Sequence, residues 1–377
     1  MNIQSIDAIV IGGGLHGLSA ALHLARAGQR TIVLERSWVG RHASGGSAAG
    51  VRTLDRALEE LPIAFEASDM WHNIGHIVGD DCGFHAHGQV KVASQEKDIA
   101  ILETRLAKSH AAGFEHEELI EQSELRRLIP SIADKCVAGL IVRSDGAADP
   151  HKTLKAFRAS VEKAGAKIIE GCGVTAIERV HSDWLVKADG RNFLAPVIVN
   201  AAGAWAATIA AMIGDDIPLG HKASMMMVTE RISEFVKPVV SLAGRPLSFK
   251  QTRQGTLVIG GGLQGHADVK MQKSAVNFVE LAKSAQAATE LFPTVGNLRI
   301  VRTWAGIEAK TKDLLPVIGP SANSPGVFHA FGFSGHGFQL VPVVGAIIAD
   351  LVVHGGTNRQ IYPFAAQRLM DLNKPVQ

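Results

Sequence analysis

The chain has 377 residues, of which 46% are hydrophobic and 20% are charged, and its formal net charge is +2. This length predicts two domains, and the small net charge gives no reason to expect nucleic acid or an anionic membrane as a partner. The three cysteines lie far apart, without a Cys-x-x-Cys pair: Cys82, Cys136 and Cys172. We therefore expect no metal site, no iron–sulfur centre built from this chain alone, and a reducing, cytoplasmic location.

Residues 6–35 predict a dinucleotide-binding unit. An apolar run at 6–11 is typical of a buried parallel strand, and a second run at 31–34 ends at Glu35. A glycine-rich turn follows the first run, with the characteristic spacing Gly12, Gly14 and Gly17. This spacing allows a tight turn, close approach of a pyrophosphate and close packing of the next helix, whose N-terminus attracts phosphate. A carboxylate at the end of the second strand accepts both ribose hydroxyls, so Glu35 is the expected ribose ligand.

The remaining elements are predicted from hydrophobic periodicity and capping signals. Helices are expected at 54–74, 97–112, 123–128, 150–164, 272–291 and 340–353. Strands are expected at 89–93, 167–170, 173–178, 184–187, 195–200, 225–230, 256–260 and 327–330. Asp149 is the expected N-cap of the helix that starts at Pro150. The apolar run 340–353 is too short to span a bilayer and predicts a buried helix, so no membrane span is expected.

Three loops are rich in small residues: 41–52, 200–205 and 332–338. Small side chains let backbone amides approach a phosphate or the edge of a flat ring. For the first loop, a flexible surface segment is the alternative. The last loop follows a predicted strand and precedes a predicted helix, which repeats the pattern of the N-terminal unit.

With these motifs in view, the chain resembles the FAD-dependent D-amino-acid oxidase superfamily, which includes glycine oxidase, monomeric sarcosine oxidase and the β subunits of sarcosine oxidases. The resemblance covers nearly the whole chain and rests on the N-terminal glycine turn with Glu35, 44–50, 145–150, 200–205, 302–313 and 332–338. Within the superfamily, 41–45, 304–308 and 335–338 look most like β subunits of bacterial opine oxidases, with β subunits of D-hydroxyproline dehydrogenase close behind.

The resemblance implies an α/β fold with two domains. A discontinuous, Rossmann-like FAD-binding domain is expected at 1–83, 145–217 and 313–377. An inserted α+β substrate domain with an antiparallel sheet is expected at 84–144 and 218–312.

The resemblance also implies non-covalent FAD. Ser44 and Gly45 would bind phosphate, Ala49 and Gly50 would lie along the isoalloxazine ring, and Val174 would contact adenine. The loop from Gly335 would stabilise negative charge at the N1 and O2 edge of the flavin. The full set of expected FAD residues is Gly12, Gly14, Leu15, His16, Gly17, Glu35, Arg36, Ser44, Gly45, Ala49, Gly50, Val51, Val174, Ala201, Gly203, Trp205, Gly306, Gly335, His336, Gly337, Phe338 and Gln339.

The sequence departs from the family pattern at three positions. Glu308 replaces an arginine that clamps the substrate carboxylate, so this residue is expected either to bind a cationic group or to form a structural salt bridge with Lys310 or Arg302. Val258 replaces an oxygen-activating lysine, which favours transfer of electrons to another cofactor. Pro150 stands where related heteromeric enzymes bind a second flavin through histidine.

These features predict oxidation of a secondary amine, an opine of the octopine or nopaline type, by hydride transfer to flavin N5. The imine would hydrolyse to a 2-oxo acid and an amino acid. The pocket candidates are Arg52, Lys250, Glu308 and His336, with Arg52 and Lys250 as carboxylate partners; for His336, a backbone-held loop histidine is the alternative.

The expected partners are a larger electron-transfer subunit and a small iron–sulfur subunit, with FMN and [2Fe-2S] at or in them. An alternative hypothesis for the same residues is a dehydrogenase or oxidase that acts on D-amino acids, glycine, sarcosine or D-hydroxyproline. Another is a non-catalytic flavin-binding electron-transfer subunit.

Overall fold

The computed structural model describes residues 4–371. A six-stranded sheet forms the centre of the fold, with the strand order Val317–Pro320, Val327–Phe331, Val197–Asn200, Ala8–Ile11, Thr31–Leu34 and Lys167–Ile169. All neighbouring pairs are parallel except the first, which is antiparallel. We call this the parallel sheet. Its strand Ala8–Ile11 is buried at all four positions, which explains why the sequence there is continuously apolar.

Four helices pack together in the largest hydrophobic core, which lies against the parallel sheet: Leu15–Arg26, Leu61–His72, Pro150–Lys163 and Gly337–His354. The N-cap expected at Asp149 is confirmed, because its side chain accepts hydrogen bonds from the backbone amides of His151 and Lys152. Such a cap satisfies amide groups that have no partner within the helix.

A second sheet has eight strands in the order Ile300–Lys310, Gly220–Arg231, Thr256–Gln264, Ser248–Gln251, Val239–Leu242, Gln89–Ala93, Ala138–Val142 and Glu118–Glu121. We call this the mixed sheet, because Val239–Leu242 runs parallel to Gln89–Ala93 while the other neighbours are antiparallel. An antiparallel sheet is expected for this domain, and six of the seven neighbouring pairs are antiparallel, with one parallel pair in addition. A parallel pair requires a long crossover, and the chain between these two strands passes through the parallel sheet. Helices Glu96–Ala111, Gln122–Leu128 and Phe278–Leu291 pack on the mixed sheet.

Three smaller sheets complete the strand set: Gln4–Ser5, Arg191–Ala195, Asp183–Ala188 and Val174–Val180; His266–Asp268 with Lys273–Ala275; and Gly50–Val51 with Gly146–Ala147. The remaining helices and 3-10 turns are short: Leu58–Glu60, Ile74–Val78, Gly203–Trp205, Ala206–Ala211, Pro293–Asn297, Tyr362–Phe364 and Gln367–Asp371. All strands of the parallel sheet fall within the ranges expected for the FAD-binding domain, and all strands of the mixed sheet fall within the others. The exact domain boundaries stay a prediction.

Two predicted helices begin later than expected. The helix predicted at 272–291 starts at Phe278, because Asn277 caps it and Lys273–Ala275 pairs as a strand with His266–Asp268. The helix predicted at 54–74 is a 3-10 turn followed by Leu61–His72. Its first residues are held outside the helix, because the Asp145 carboxylate accepts the backbone amides of Thr53 and Leu54.

In the described part of the chain, one helix is long and apolar enough to cross a membrane, Gly337–His354. It packs against Leu15–Arg26, and its buried residues include Leu340, Val344 and Ile348 at 0% exposure. These contacts are those of a core helix of the parallel-sheet region.

Candidate active site

A cleft of about 1340 Å³, including its open mouth, lies between the two large sheets. One wall is formed by the carboxyl ends of parallel-sheet strands, at Ile11, Leu34 and Phe331. The opposite wall includes residues 307–309 of the mixed sheet. Ligands of open α/β sheets bind at this edge, so the topology places the cleft where a nucleotide cofactor is expected.

The N-terminal glycine turn is packed so closely that side chains are excluded. Gly12 has φ of +110°, and a Cβ there would lie 2.4 Å from the carbonyl oxygen of Ala201. A Cβ on Gly17 would lie 2.0 Å from the carbonyl oxygen of Gly12. The strand, the turn and the start of helix Leu15–Arg26 therefore approach each other at backbone distance, as the pyrophosphate-binding turn requires.

Two side chains hold this turn open toward the cleft. The Glu35 carboxylate accepts the Gly13 amide at 2.7 Å through Oε2 and the Ser37 amide at 2.8 Å through Oε1. The Ser44 hydroxyl accepts the Leu15 amide at 3.0 Å. Glu35 and Ser44 both line the cleft, so a carboxylate for ribose hydroxyls and a hydroxyl for phosphate are fixed on either side of the helix N-terminus.

Most residues of the loop at 332–338 line the cleft. His16 stacks on Phe333 with ring centroids 3.6 Å apart, and a Cβ on Gly337 would lie 2.8 Å from His16 Nε2. Burial lowers the pKa of His16 to about 3, so its imidazole is neutral at pH 7. Its Nδ1 is buried and has no hydrogen-bond partner among residues 4–371. An unsatisfied neutral imidazole in the cleft lining fits a bound polar group such as FAD.

A family model described as "FAD dependent oxidoreductase", of the DAO family, matches residues 7–351. The chain belongs to the DAO family of FAD-dependent oxidoreductases. The family membership confirms the predicted resemblance to FAD-dependent amino-acid oxidases. It also confirms the predicted enzyme class, an FAD-dependent oxidoreductase. The residues of the glycine turn and the cleft fit the adenosine diphosphate part of FAD, which would lie against Gly12, Gly14 and Glu35.

Curated members of the DAO family resemble this chain at modest identity. Dimethylglycine dehydrogenase from Rattus norvegicus is 27% identical over 93% of this chain and 43% of its own length. The chain thus spans less than half of that relative. The B subunit of opine oxidase from Agrobacterium tumefaciens (strain Ach5) is 26% identical over 97% of this chain and 98% of its own length.

Solved structures of related enzymes confirm the predicted fold class. L-proline dehydrogenase from P. horikoshii superposes with a TM-score of 0.90 at 25% identity, covering 99% of this chain and 100% of the other. Glycine oxidase from Geobacillus kaustophilus gives a TM-score of 0.88 at 22% identity, with 97% and 99% covered. The second similarity concerns the fold alone.

Most residues predicted to bind the cofactor line the cleft: Gly12, Gly14, Leu15, His16, Glu35, Arg36, Ser44, Val174, Ala201, Gly203, Trp205, Gly335, Gly337 and Phe338. The others lie outside its lining: Gly17, Gly45, Ala49, Gly50, Val51, Gly306, His336 and Gln339. Gly17 and Gly45 act through packing, since a Cβ on Gly45 would lie 2.3 Å from the Gly40 carbonyl oxygen. Ala49 is completely buried, so a flavin contact there stays a prediction.

Of the four pocket candidates, Glu308 lines the cleft. The structural alternative predicts a salt bridge of Glu308 with Lys310 or Arg302. Glu308 instead pairs with Lys222, whose Nζ lies 3.4 Å from Glu308 Oε1. The reason is the strand register, which places Lys222 directly opposite Glu308. The Ser224 hydroxyl also donates to Glu308 Oε1.

Arg52 and Lys250 are not part of the cleft lining. The Arg52 guanidinium donates to the backbone carbonyls of Leu54 and Asp55. Lys250 is 7% exposed, and its Nζ donates to the Ala148 carbonyl at 2.9 Å. The recorded hydrogen bonds of both side chains are to backbone carbonyls and not to groups in the cleft. The role of either residue as a carboxylate partner stays a prediction.

His336, which also lies outside the cleft lining, is the N-cap residue of helix Gly337–His354. Burial, together with the positive charge of Arg52, lowers the pKa of His336 to about 2, so the ring is neutral. Its Nδ1 lies 4.0 Å from Glu60 Oε2, and its carbonyl oxygen accepts Arg56 Nη2 at 3.2 Å. These contacts agree with the alternative expected for this residue, a loop histidine held by the backbone.

Lys222, which pairs with Glu308, and Ser334, which accepts a hydrogen bond from Lys222, are not among the predicted site residues. Lys222 Nζ donates to the Ser334 carbonyl at 2.9 Å, and Ser334 itself lines the cleft with φ of +52°. No local sequence signal marks Lys222, because its position follows from pairing between two strands that are far apart along the chain. In the described part of the chain, no group of three or more His, Cys, Asp or Glu residues could hold a metal ion.

Proposed function

We propose that this chain oxidises a secondary amine, an opine of the octopine or nopaline type. A hydride leaves the substrate carbon that bears the nitrogen, and the nitrogen loses its proton, which together form a carbon–nitrogen double bond. Water then hydrolyses this imine to a 2-oxo acid and an amino acid. FAD supplies the two-electron acceptor when it is bound.

The single observation that carries this proposal is a carboxylate in the cleft lining, on the mixed-sheet wall. Glu308 lines the cleft, with its side chain 16% exposed. A carboxylate cannot clamp a substrate carboxylate, but it can accept hydrogen bonds from a guanidinium or ammonium group. Opines derived from arginine carry both groups, and the B subunit of opine oxidase is among the relatives that match nearly the whole chain.

The chain's own residues would serve to bind, orient and exclude water. Trp304 Nε1 donates to the Gly46 carbonyl at 3.0 Å and fixes the small-residue loop against the mixed sheet. Trp304 lies on the same strand as Glu308, so this contact ties that strand to the small-residue loop. In such chemistry, orientation and a fixed electrostatic environment lower the barrier without a dedicated strong base.

We propose further that electrons leave through partner subunits, a larger electron-transfer subunit and a small iron–sulfur subunit that carry FMN and [2Fe-2S]. The similarity to B subunits of opine oxidases supports an assembly of several chains. All three cysteines are buried and far apart in the sequence, so they do not offer a cluster site. The cytoplasmic location belongs to the same proposal.

A simpler secondary amine is the second candidate substrate. The match to L-proline dehydrogenase covers both chains almost completely at a TM-score of 0.90, which favours a compact substrate such as proline, D-hydroxyproline or sarcosine. A glycine or D-amino-acid dehydrogenase or oxidase and a non-catalytic flavin subunit are compatible with the same fold.

Anaerobic bleaching of the flavin absorbance tests these possibilities. The purified chain, alone and with copurifying partners, is mixed with octopine, nopaline, L-proline, D-hydroxyproline, sarcosine, glycine and D-alanine. We expect octopine or nopaline to bleach the flavin fastest. Bleaching by primary amino acids alone would contradict the secondary-amine proposal, and a flavin that none of these compounds reduces would favour the non-catalytic subunit.

A further inference from the structure

Lys222 and Glu308 form a polar pair on the mixed sheet, at the edge of the cleft. They lie directly opposite each other on strands Gly220–Arg231 and Ile300–Lys310, with 3.4 Å between Lys222 Nζ and Glu308 Oε1. Their side chains are 19% and 16% exposed. The pair is therefore largely desolvated, yet it remains open to the cleft through Glu308.

The hydrogen-bonding capacity of the pair is not exhausted. An ammonium group has three donors; Lys222 Nζ donates one to the Ser334 carbonyl, and it lies 3.4 Å from Glu308 Oε1 as an ion pair. Glu308 Oε1 also accepts the Ser224 hydroxyl, whereas Oε2 has no partner among residues 4–371. At least one donor of Lys222 and one acceptor oxygen of Glu308 thus remain available to a ligand.

Gly335 keeps the approach to both free positions open. It has φ of +95°, and a Cβ there would lie 2.6 Å from Lys222 Nζ and 3.7 Å from Glu308 Oε2. Any side chain at this position would fill the space next to the ammonium and the free carboxylate oxygen. Gly335 also lines the cleft, so a ligand in the cleft would meet the two groups across the glycine backbone.

We propose that Lys222 and Glu308 together recognise the two charges of an amino-acid-type substrate. A free N–H of Lys222 donates to the substrate carboxylate, and Glu308 Oε2 accepts an N–H of the cationic nitrogen, as ammonium or guanidinium. Ser224 and Ser334 hold the pair in register. This assignment rests on the proposed function and deepens it, because it restricts the substrate to molecules that carry both charges.

The pair also explains why Glu308 is compatible with an anionic substrate group. Alone, its carboxylate would repel a substrate carboxylate, but the adjacent ammonium cancels that charge within 3.4 Å. The cation that would bind the substrate carboxylate is thus Lys222, which lies opposite Glu308 on the neighbouring strand. Arg52 and Lys250, whose donors are bound to backbone carbonyls, are not required for this step.

Calorimetric titration of chemically reduced, FAD-loaded enzyme tests the proposal, because reduced enzyme binds without turnover. The ligands are octopine, L-proline with L-prolinamide, and sarcosine with sarcosinamide; each amide keeps the amine and lacks the carboxylate. In Lys222→Met we expect at least tenfold weaker binding of the acids and unchanged binding of the amides. Lys222→Arg keeps the positive charge and should therefore keep the preference for the acids over the amides. This variant provides a second test if Lys222→Met does not fold.

Lys310→Met is the matched control, since Lys310 is exposed on the same strand as Glu308 and lies opposite Gly220. It should bind every ligand as the wild type does. Equal losses for acids and amides in Lys222→Met, or no loss, would overturn the pair as a recognition site and leave the proposed function standing. Wild-type enzyme that binds none of the three acids would overturn the proposed function and this assignment together.

Discussion

Lys250 is a buried cation close to residues predicted to contact the flavin. Its Nζ donates to the Ala148 carbonyl, and the Ala148 amide donates to the Ala49 carbonyl at 2.9 Å. Lys250 lies directly opposite Val258 in the strand pairing. The position at which the sequence lacks an oxygen-activating lysine therefore has a lysine as its cross-strand neighbour, so Val258 alone does not determine how the enzyme reacts with oxygen.

The ionisation of Lys250 gives a pH-dependent stability. Burial lowers its pKa from 10.5 to about 8, with Asp149 acting in the opposite direction. Between these two values the unfolded chain binds more protons than the folded chain, so this residue's contribution to stability rises with pH. Below pH 8 the buried charge destabilises the fold.

We therefore expect wild type to gain stability relative to Lys250→Met as the pH rises from 7 to 10.5, by up to about 3 kcal/mol at roughly 1.36 kcal/mol per pH unit. Denaturant unfolding of both proteins at a series of pH values measures this difference. A difference that stays constant over this range would show that the pKa of Lys250 is the same in the folded and the unfolded chain.

At the scale of elements, two helices cross at a glycine. Helices Leu15–Arg26 and Gly337–His354 meet where a Cβ on Gly345 would lie 2.2 Å from Ser19 Oγ and 2.6 Å from the Ser19 carbonyl oxygen. The first residues of both helices, Leu15 and Gly337, line the cleft. Their close crossing thus fixes the spacing between two ends of the cofactor site.

Gly345→Ala should force these helices apart. We expect a loss of about 1–3 kcal/mol in the free energy of unfolding, as is usual for overpacking, and weaker FAD binding. Gly75→Ala is the control, because Gly75 lies in the short helix Ile74–Val78 and has no neighbouring atom within 4 Å of an added Cβ. It should be neutral or stabilise by up to about 1 kcal/mol through helix propensity.

Thermal unfolding of the apoproteins and titration with FAD, followed by flavin fluorescence, measure both effects. If Gly345→Ala matches Gly75→Ala in both measurements, the helix crossing does not set the geometry of the site.

At the scale of the whole molecule, the cleft joins segments that are distant along the chain. Its walls come from the N-terminal unit, the loop after Val197–Asn200, the mixed-sheet strand Ile300–Lys310 and the loop after Val327–Phe331. A cofactor that touches all of these stabilises the folded state as a unit, because it binds the native chain and not the unfolded one.

Removal of FAD should therefore lower the unfolding temperature of the entire chain, and added FAD should restore it. At a free FAD concentration of about 100 times Kd, the expected gain is about 2.7 kcal/mol. Glu35→Ala should reduce this FAD-dependent gain, whereas Glu59→Ala, at an exposed position, should keep it. Thermal unfolding at increasing FAD concentrations measures this gain in stability. If Glu35→Ala gains as much as the wild type, Glu35 does not contribute to cofactor binding.

The sequence by itself determined the parts of this protein whose geometry is local. The turn at Gly12, the Asp149 cap and the strand ending at Glu35 each depend on neighbours within a few residues, and the structure has all three. The family resemblance extended these local motifs to the whole FAD-binding fold.

Only the tertiary structure decided how distant segments meet. The salt bridge of Glu308 is formed with Lys222 because strand register selects the partner across the sheet, and proximity in sequence to Lys310 or Arg302 has no influence on that register. In the same way, pairing with His266–Asp268 made a strand of Lys273–Ala275, where local periodicity favours a helix. The proposed substrate pair depends on such long-range pairing, whereas cofactor recognition begins in a local turn.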